Sequence, residues 1–370
     1  GGLSGFPSPA ESEHDIFVAG HGNTSISAAI GLAQAKRIRG EPGKVIAIVG
    51  DGAFTGGMIY EGMNNIRTLR NLIVILNDNK MSISKNNGSM AQYLTKLRTN
   101  PGYFNAKRDV QSMLDAVPFV GVPIRQGLQV AKGAVRRMMY HSTMFEEMGF
   151  QYAGPVDGHD VAGLCELFRA FRDEQVAPLF LHICTQKGKG YPPAEENPGE
   201  FHGVSAFDLK AKLDPDVSKE DSFSTVFGQQ LADFGDQDTA LCAVTAAMKY
   251  GTGLQYFYKR HKERFFDVGM AEQHAVTFGA GLARGGRPVV AIYSTFLQRS
   301  YDQLIHDVHL QGLNVLFAID RAGLVPGDGE THQGIYDAAY LSQLEHMKVA
   351  SPANYAELRF WLKKALYEWS

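Results

Sequence analysis

The sequence of 370 residues is poor in cysteine, carries almost no net charge and lacks a long apolar run. Its three cysteines, Cys165, Cys184 and Cys242, match no zinc spacing. So sparse a set argues against a disulfide framework and favours a reducing compartment. A formal net charge of −3 gives no electrostatic reason to expect nucleic acid or an anionic membrane as a partner. No apolar segment approaches the roughly 18 residues that a membrane-spanning helix needs.

The beginning of the sequence contains no targeting signal of the secretory type. Residues 1–5 have neither the basic nor the apolar region of a signal peptide. They also contain no Met, so we interpret the chain as a piece of a longer protein.

Two parts of the chain repeat one plan, in which a β-branched run is followed by a helical segment and a second apolar run. The helical segments are expected near 58–69 and at 301–308, the latter with its apolar residues on one face. Short apolar runs of this kind are typical of buried parallel strands. The repeat predicts an α/β fold with two tandem domains, each a mainly parallel sheet flanked by helices. The four predicted strands are 45–49, 72–76, 289–292 and 315–319.

Composition indicates where one domain ends and the next begins. Residues 187–222 are rich in Gly, Pro and charge, as linkers are. We therefore expect a first domain at 1–195, a linker at 196–222 and a second domain at 223–370. A mainly helical insertion is expected within the first domain at about 81–150.

Polar side chains follow both strands of the first repeat. Gly50-Asp51-Gly52 comes after the first strand, and Asn77-Asp78-Asn79 ends the second. Because consecutive parallel strands can end side by side, Asp51 and Asn79 are expected to point into one crevice. Their oxygens, with the backbone carbonyl of Met81, suit Mg²⁺, which prefers oxygen ligands and keeps phosphate oxygens in its shell. Gly52 and Ala53 would let backbone N–H groups approach a diphosphate.

This pair of motifs resembles the signature of thiamine diphosphate enzymes. An Asp-Gly turn alone is common, but its position after a strand, with Asn-Asp-Asn after the next, is much more specific. Upstream, Gly20-His21-Gly22 precedes an Ala-rich helix and is expected to form a second wall of the cofactor site, although Asn23 or Thr24 there is also a plausible N-cap.

The second domain is expected to supply the catalytic carboxylate. Thiamine chemistry needs a carboxylate on the aminopyrimidine ring to promote loss of a proton from the thiazolium carbon. Glu272, before a helix of small residues, matches the family's setting for that group, and the simpler alternative is a first-turn Glu favoured by the helix dipole. Tyr293 and Phe296 resemble the pocket of the pyrimidine ring, but either could be an ordinary core aromatic.

Several further segments narrow the resemblance to the 1-deoxy-D-xylulose-5-phosphate synthase family, and it covers nearly the whole chain. These segments are 154–160, 187–195, 201–202, 271–277, 293–299 and 320–334.

The resemblance implies a reaction and a set of roles. Pyruvate is joined to D-glyceraldehyde 3-phosphate with loss of CO₂, the first step of the non-mevalonate isoprenoid route, with thiamine diphosphate and Mg²⁺ as cofactors. It also implies a homodimer in the bacterial cytoplasm and a third, C-terminal domain that is absent from this chain. The implied residues are Lys187 and Tyr191 at the cofactor, His21, His202 and His332 in proton transfer, Asp328 beside His332, and Arg299 and Arg321 at the acceptor phosphate.

Two other interpretations stay open at the level of sequence. One is another thiamine enzyme, such as a transketolase or a keto-acid dehydrogenase subunit. The other is a catalytically inactive paralogue or fragment that only binds the cofactor, although the presence of Asp51, Asn79 and Glu272 together argues against it.

Overall fold

The computed structural model describes residues 4–66, 68–81, 88–99, 143–202, 222–325, 327 and 329–369. Most of the expected insertion at 81–150 and linker at 196–222 lies outside the described residues. Asp328 also lies outside them.

The first sheet has four parallel strands in the order β1-β2-β4-β3. Residues 72–76 of β2 are buried on both faces, as expected for a β-branched run in the middle of a parallel sheet. The strands are β1 (Val45–Gly50), β2 (Leu72–Asp78), β3 (Gln151–Asp157) and β4 (Leu179–Cys184).

Helices cover both faces of this sheet. One face packs on α1 and α2 in a core that includes Phe54, Phe145 and Phe180, and the other packs on α5. Within the core, the rings of Phe145 and Phe180 are stacked with centroids 3.9 Å apart. The helices are α1 (Ser25–Arg39), α2 (Gly57–Asn64), α3 (Ser89–Thr99), α4 (Met144–Glu147), α5 (Val161–Glu174) and α6 (Pro192–Glu196).

The second sheet repeats the architecture, with four parallel strands in the order β6-β5-β7-β8. Its strands are β5 (Leu241–Thr245), β6 (Phe265–Asp267), β7 (Arg287–Tyr293) and β8 (Leu316–Asp320). Its helices are α7 (Phe223–Gln237), α8 (Gln255–Arg260), α9 (Glu272–Leu282), α10 (Ser294–Leu297), α11 (Tyr301–Gln303), α12 (Asp337–Leu341) and α13 (Tyr355–Tyr367). One face packs on α9 and the other on α7, α8 and α13. The predicted α/β class with two parallel sheets is therefore confirmed.

Several helices begin where the sequence provides a cap. The Ser222 hydroxyl accepts the N–H of Thr225 at the start of α7, and the Asp160 carboxylate accepts that of Gly163 at the start of α5. At α1 the N-cap is Thr24, but its side chain makes no capping bond. The Thr24 hydroxyl is therefore not used to cap α1.

Three local predictions were wrong. The first strand was expected to be buried, but Ile46 and Ile48 are 52% and 67% exposed because α5 packs over β2 and β4 and does not reach β1. The helix expected at 58–69 ends at Asn64. The helix expected at 301–308 is α-helical only at Tyr301–Gln303, and 304–309 forms a π-helix.

No helix in the described part of the chain is both long and apolar enough to cross a bilayer.

The contact between α7 and the loop before α8 predicts a strong dependence on one glycine. A Cβ added at Gly228 would overlap the carbonyl oxygen of Gly253, so neither backbone can yield cheaply. Gly228→Ala should therefore lower the free energy of unfolding by about 2–3 kcal/mol, measured by urea denaturation.

Gly281→Ala is the matched control. Gly281 is also a helical glycine, in α9, but an added Cβ would meet nothing within 4 Å. That substitution should leave stability unchanged or raise it by about 0.5 kcal/mol. Equal effects of the two substitutions would show that the close approach at Gly228 does not matter.

Candidate active site

The carboxyl ends of β1 and β2 bring the two polar turns together. Gly50 lies opposite Asn77 in the strand register, and the Asp51 N–H donates to the Asn77 carbonyl at 3.2 Å. The backbone N–H groups of Asn79 and Lys80 lie near the Asp51 carboxylate and act to lower its pKa. The Asn79 side-chain oxygen in turn accepts the N–H of Met81 at 3.1 Å. Asp51 and the turn at 79–81 therefore lie next to each other at the carboxyl edge of the sheet.

Asp51 is a buried carboxylate, only 4% exposed. Burial, followed by the nearby Asp78 carboxylate, raises the pKa of Asp51 to about 6. A divalent cation at this position would relieve the cost of the buried charge. The side-chain oxygens of Asp51 and Asn79 and the carbonyl of Met81 form an oxygen donor set, which fits Mg²⁺.

Lys187 and His202 form a polar pair near this turn. The Lys187 ammonium donates to Nδ1 of His202 at 2.7 Å. Burial lowers the pKa of Lys187, and the negative charge of Asp51 opposes that shift. Burial and the Lys187 charge lower the pKa of His202. This favours a neutral imidazole with one nitrogen held by a cation. Tyr191, the N-cap of α6, packs its ring edge on Phe201, beside His202 in sequence, with centroids 5.6 Å apart.

A chain of buried polar groups lies beneath the turn, and the sequence analysis missed it. Nε2 of His182 lies 3.0 Å from Oδ2 of Asp78, and Nδ1 lies 2.9 Å from the Tyr152 hydroxyl. Arg98 of α3 also pairs with the Asp78 carboxylate. Burial alone would raise the pKa of Asp78, but the hydrogen bond from His182 and the charge of Arg98 outweigh it and hold the pKa below its usual range.

Asp78, His182 and Cys184 are close enough together to hold a metal ion. However, Asp78 and His182 already bond to each other, to Arg98 and to Tyr152. Burial also raises the pKa of the Cys184 thiol to about 11, which disfavours the thiolate that a metal would need. We therefore assign no metal to this group.

The loop at 20–23 lies directly against the second domain. Nε2 of His21 lies 2.8 Å from the carbonyl oxygen of Thr331 and 3.0 Å from the Thr295 hydroxyl. Since a carbonyl only accepts, Nε2 carries the proton. Burial lowers the pKa of His21, although the bond to Thr331 opposes the shift. A Cβ on Gly20 would overlap the Thr331 side chain, so glycine is needed for this approach.

The other end of the same loop contacts the segment before α9. The Asn23 side-chain amide donates to the Met270 carbonyl at 2.8 Å, and the Met270 N–H donates to the Thr55 hydroxyl at 3.2 Å. A Cβ on Gly22 would overlap the Met270 side chain and lie 3.5 Å from Ala53. Gly22 thus lies between the turn after β1 and the segment that leads to Glu272.

Glu272 begins α9 and is 2% exposed. Its carboxylate pairs with the Arg299 guanidinium at 3.1 Å, and a second Arg299 nitrogen donates to the Gly22 carbonyl at 2.8 Å. Burial raises the pKa of Glu272, and Arg299 only partly offsets the shift. Arg299, which the resemblance places at an acceptor phosphate, is thus bonded to the Glu272 carboxylate and to the loop at 20–23.

Aromatic rings of the second domain pack beside His21 and His332. Tyr293 and Phe296 are stacked at 6.0 Å, and the Phe296 ring lies 5.0 Å from His21 and 5.2 Å from His332. His332 accepts or donates a hydrogen bond with the Thr331 hydroxyl at 2.8 Å. The Phe6 ring also stacks on the His332 ring, with centroids 4.8 Å apart, and Phe6 was not identified from the sequence.

Arg321 lies at the edge of these rings. Its guanidinium covers the Tyr293 ring at 3.9 Å and donates to the Gly251 carbonyl at 3.2 Å. It also lies 3.7 Å from the Asp320 carboxylate, and its side chain is about one third exposed. Arg321 is therefore the more accessible of the two arginines expected to bind phosphate.

The ion pair of Glu272 predicts a pH-dependent loss of stability in Arg299→Met. Near pH 4 the Glu272 carboxyl is protonated in both the folded and the unfolded chain, so it carries no negative charge that Arg299 must balance. As pH rises, the variant must keep a buried, unpaired carboxylate or retain a proton. We expect a loss of about 3 kcal/mol at pH 8 and a much smaller one at pH 5, measured by urea denaturation of the cofactor-free protein. Arg299→Lys is the control that keeps the charge, and equal losses of Arg299→Met at both pH values would contradict the assignment.

Both parts of the chain match known protein families. Residues 1–185 match the family model described as 1-deoxy-D-xylulose-5-phosphate synthase, and residues 219–369 match the pyrimidine-binding domain of transketolase. The 1-deoxy-D-xylulose-5-phosphate synthase of Natranaerobius thermophilus is 48% identical over 369 residues, which are 99% of this chain and 58% of the relative. That of Clostridium kluyveri is 48% identical over 368 residues, 99% of this chain and 59% of the relative.

A solved transketolase from Campylobacter jejuni matches 95% of this chain and 60% of its own length, at 15% identity and a TM-score of 0.38. The chain spans less than two thirds of the length of the two curated relatives. By its match over residues 1–185 and its close relatives, this chain belongs to the 1-deoxy-D-xylulose-5-phosphate synthase family.

Proposed function

We propose that this protein is a 1-deoxy-D-xylulose-5-phosphate synthase, which joins pyruvate to D-glyceraldehyde 3-phosphate with loss of CO₂. The observation that carries the proposal is the position of the loop at 20–23. Gly22 lies beside Ala53, just after Asp51, and its carbonyl is tied through Arg299 to Glu272. A divalent-ion site and a buried carboxylate thus flank one loop in one cleft, as a coenzyme with a diphosphate at one end and a pyrimidine at the other requires.

The residues of the first domain would hold the diphosphate end of thiamine diphosphate. Asp51, Asn79 and the carbonyl of Met81 would hold Mg²⁺, which would balance part of the negative charge of the diphosphate. Gly52 and Ala53, at the start of the 3₁₀ turn Ala53–Thr55, would offer backbone N–H groups to the anion. Lys187, a cation near Asp51, adds positive charge on the same side.

The second domain would hold the pyrimidine end, with Tyr293 and Phe296 as its aromatic wall. Thiamine diphosphate, when bound, supplies a carbon nucleophile, which in water alone hardly forms at neutral pH. The raised pKa of Glu272 suits a carboxyl that exchanges a proton or hydrogen bond with the ring. Because Glu272 is already paired, Arg299 must release it or share it when the coenzyme enters.

The histidines face the space beside this wall. His21 and His332 lie 5.3 Å apart, ring to ring, which suits proton transfer to and from the two substrates. His202, kept neutral beside Lys187, is a third candidate, and Asp328 belongs to this set by its sequence position. Arg321, accessible at the rim, is the better candidate for the acceptor phosphate, with Arg299 as a second.

The family's other properties are also proposed for this protein. These are a homodimer and a cytoplasmic location in a bacterium, and they rest on the resemblance to bacterial relatives. A first domain that ends near residue 195 is proposed from the linker composition of residues 187–222. A transketolase is the alternative thiamine enzyme, and its substrates separate the two. Transketolase would use ketose donors without releasing CO₂.

The proposed reaction predicts the outcome of a carboligation assay. Pyruvate and D-glyceraldehyde 3-phosphate, with thiamine diphosphate and Mg²⁺, should give CO₂ and a five-carbon ketose phosphate in equal amounts. Glu272→Gln should lower turnover by roughly 10²–10⁴-fold because it removes an acid–base group while keeping the shape. Thermal unfolding of the variant checks that it folds. Turnover of the variant close to that of the wild type would exclude Glu272 from the chemistry.

The proposed metal site predicts that thiamine diphosphate binds only with a divalent cation. Calorimetric titration of the coenzyme should give heat with Mg²⁺ and little with EDTA. Asp51→Asn should weaken coenzyme binding by at least about tenfold through the loss of one charged ligand. Asp302→Asn, at an exposed aspartate of α11, is the matched control and should bind as the wild type does. Binding that ignores the metal would count against every thiamine-based function.

A further inference from the structure

We propose that Tyr152, His182 and Asp78 form a positioning chain that holds the turn at 79–81 in the shape that binds the metal. The inference rests on the proposed function, because the metal and the coenzyme are part of it. It assigns a role to three side chains that are not themselves ligands in the proposed site. We call these three residues the positioning chain.

The positioning chain runs from the core to the turn. The Tyr152 hydroxyl on β3 lies 2.9 Å from His182 on β4, and His182 lies 3.0 Å from Asp78 at the end of β2. The three strands are neighbours in the sheet, so their backbones fix the spacing of the side chains. Tyr152, His182 and Asp78 are all buried, at 4%, 0% and 1% exposure.

The free end of the positioning chain acts on the backbone of the turn. Oδ1 of Asp78 accepts the N–H of Lys80 at 3.2 Å. Lys80 has a φ of 65°, a left-handed conformation that a residue with a side chain adopts only when its surroundings compensate for it. The bond from Asp78 supplies part of that compensation. Lys80 lies between Asn79 and Met81, so its conformation decides where these two point.

A second set of bonds fixes the strand end from the other side. The Thr185 hydroxyl donates to the Asn77 side-chain oxygen at 2.6 Å, and the Thr185 N–H donates to the Asp78 carbonyl at 3.0 Å. The backbone of residues 77 and 78 is therefore held by β4. What remains adjustable is the turn itself, which two carboxylates reach: Asp51, a proposed metal ligand, and Asp78, which is not a ligand.

Stability alone is a weak reason for such a group. A buried ionic cluster that is replaced by well-packed apolar residues often leaves stability unchanged or improves it. The charge of Asp78 is balanced by Arg98 of α3, so the cluster needs two elements of the fold to keep one carboxylate ionised. Orienting partners behind metal ligands typically account for a 10–100-fold change in metal affinity.

The test compares two tyrosines of the same core. Tyr152→Phe removes the hydroxyl from the positioning chain and keeps a ring that stacks on Phe145 at 5.5 Å. Tyr93→Phe is the matched control, because the Tyr93 hydroxyl accepts the Met144 N–H at 2.7 Å and its ring also contacts Phe145. Each variant loses a hydrogen bond of a tyrosine hydroxyl, buried at Tyr152 and half-buried at Tyr93, but only the Tyr152 hydroxyl connects to the turn. Asp78→Asn is a third variant that breaks the charge of the chain directly.

Two quantities are measured in the complete protein. Calorimetry with excess thiamine diphosphate gives the Mg²⁺ concentration for half-saturation, and thermal unfolding without metal gives the stability of each variant. We expect Tyr152→Phe to raise the half-saturating Mg²⁺ concentration about tenfold, with kcat restored at saturating Mg²⁺. Tyr93→Phe should lower thermal stability by a similar amount and leave the Mg²⁺ requirement unchanged.

Each result decides between the hypotheses. If both tyrosine variants need the same Mg²⁺ concentration as the wild type, the positioning role is wrong and the cluster only stabilises the core. If both need more Mg²⁺ to the same extent, the effect is general softening of the core and the inference is again wrong. If Tyr152→Phe does not fold, Asp78→Asn decides the question by the same comparison. If the wild-type protein binds no thiamine diphosphate with Mg²⁺, the proposed function itself fails.

Discussion

The candidate active site depends on the parallel pairing of β1 with β2. That pairing ends with Gly50 opposite Asn77, and it places the turn after each strand at the same edge of the sheet. A slip of one residue would turn every side chain of β2 to the other face. Residues 72–76 are buried on both faces, so packing from both sides holds the register. The meeting of the two polar turns is a consequence of this hydrophobic strand.

The second constraint is the absence of side chains in the loop at 20–23. Gly20 and Gly22 face Thr331 and Met270 so closely that a Cβ would overlap them. At Gly22 the overlapping atom is the terminal methyl of Met270, which can move aside, but at Gly20 the added Cβ would meet Cβ of the branched Thr331 side chain. A larger residue at position 20 would therefore push the loop and the second domain apart.

Local signals in the sequence predicted two parallel sheets and four of the eight strands that the structure describes. Apolar β-branched runs identified β1, β2, β7 and β8, and glycines beside Asp51 and before Asn23 indicated close approaches of the backbone. Long-range contacts gave no such signal. The exposure of Ile46 and Ile48 depends on how far α5 reaches over the sheet, and the bond between Arg299 and Glu272 depends on the packing of helices after β7. His182 did leave a trace, since a single histidine within the apolar run of β4 is a polar group that needs a buried partner.

Three buried carboxylates near the candidate site, those of Asp51, Asp78 and Glu272, differ in the direction of their pKa shifts. Asp78 has His182 and Arg98 as partners, and they hold its pKa low, so the protein alone keeps it ionised. Asp51 and Glu272 keep raised pKa values even though the chain gives each of them hydrogen bonds. A fold under selection for stability alone has no reason to leave two carboxylates in that condition. A cation beside Asp51 and a hydrogen-bonding ring beside Glu272 would relieve both. The contrast with Asp78 therefore favours a site in which bound ligands would supply the missing partners of Asp51 and Glu272. Within the protein itself, Arg299 is the partner of Glu272.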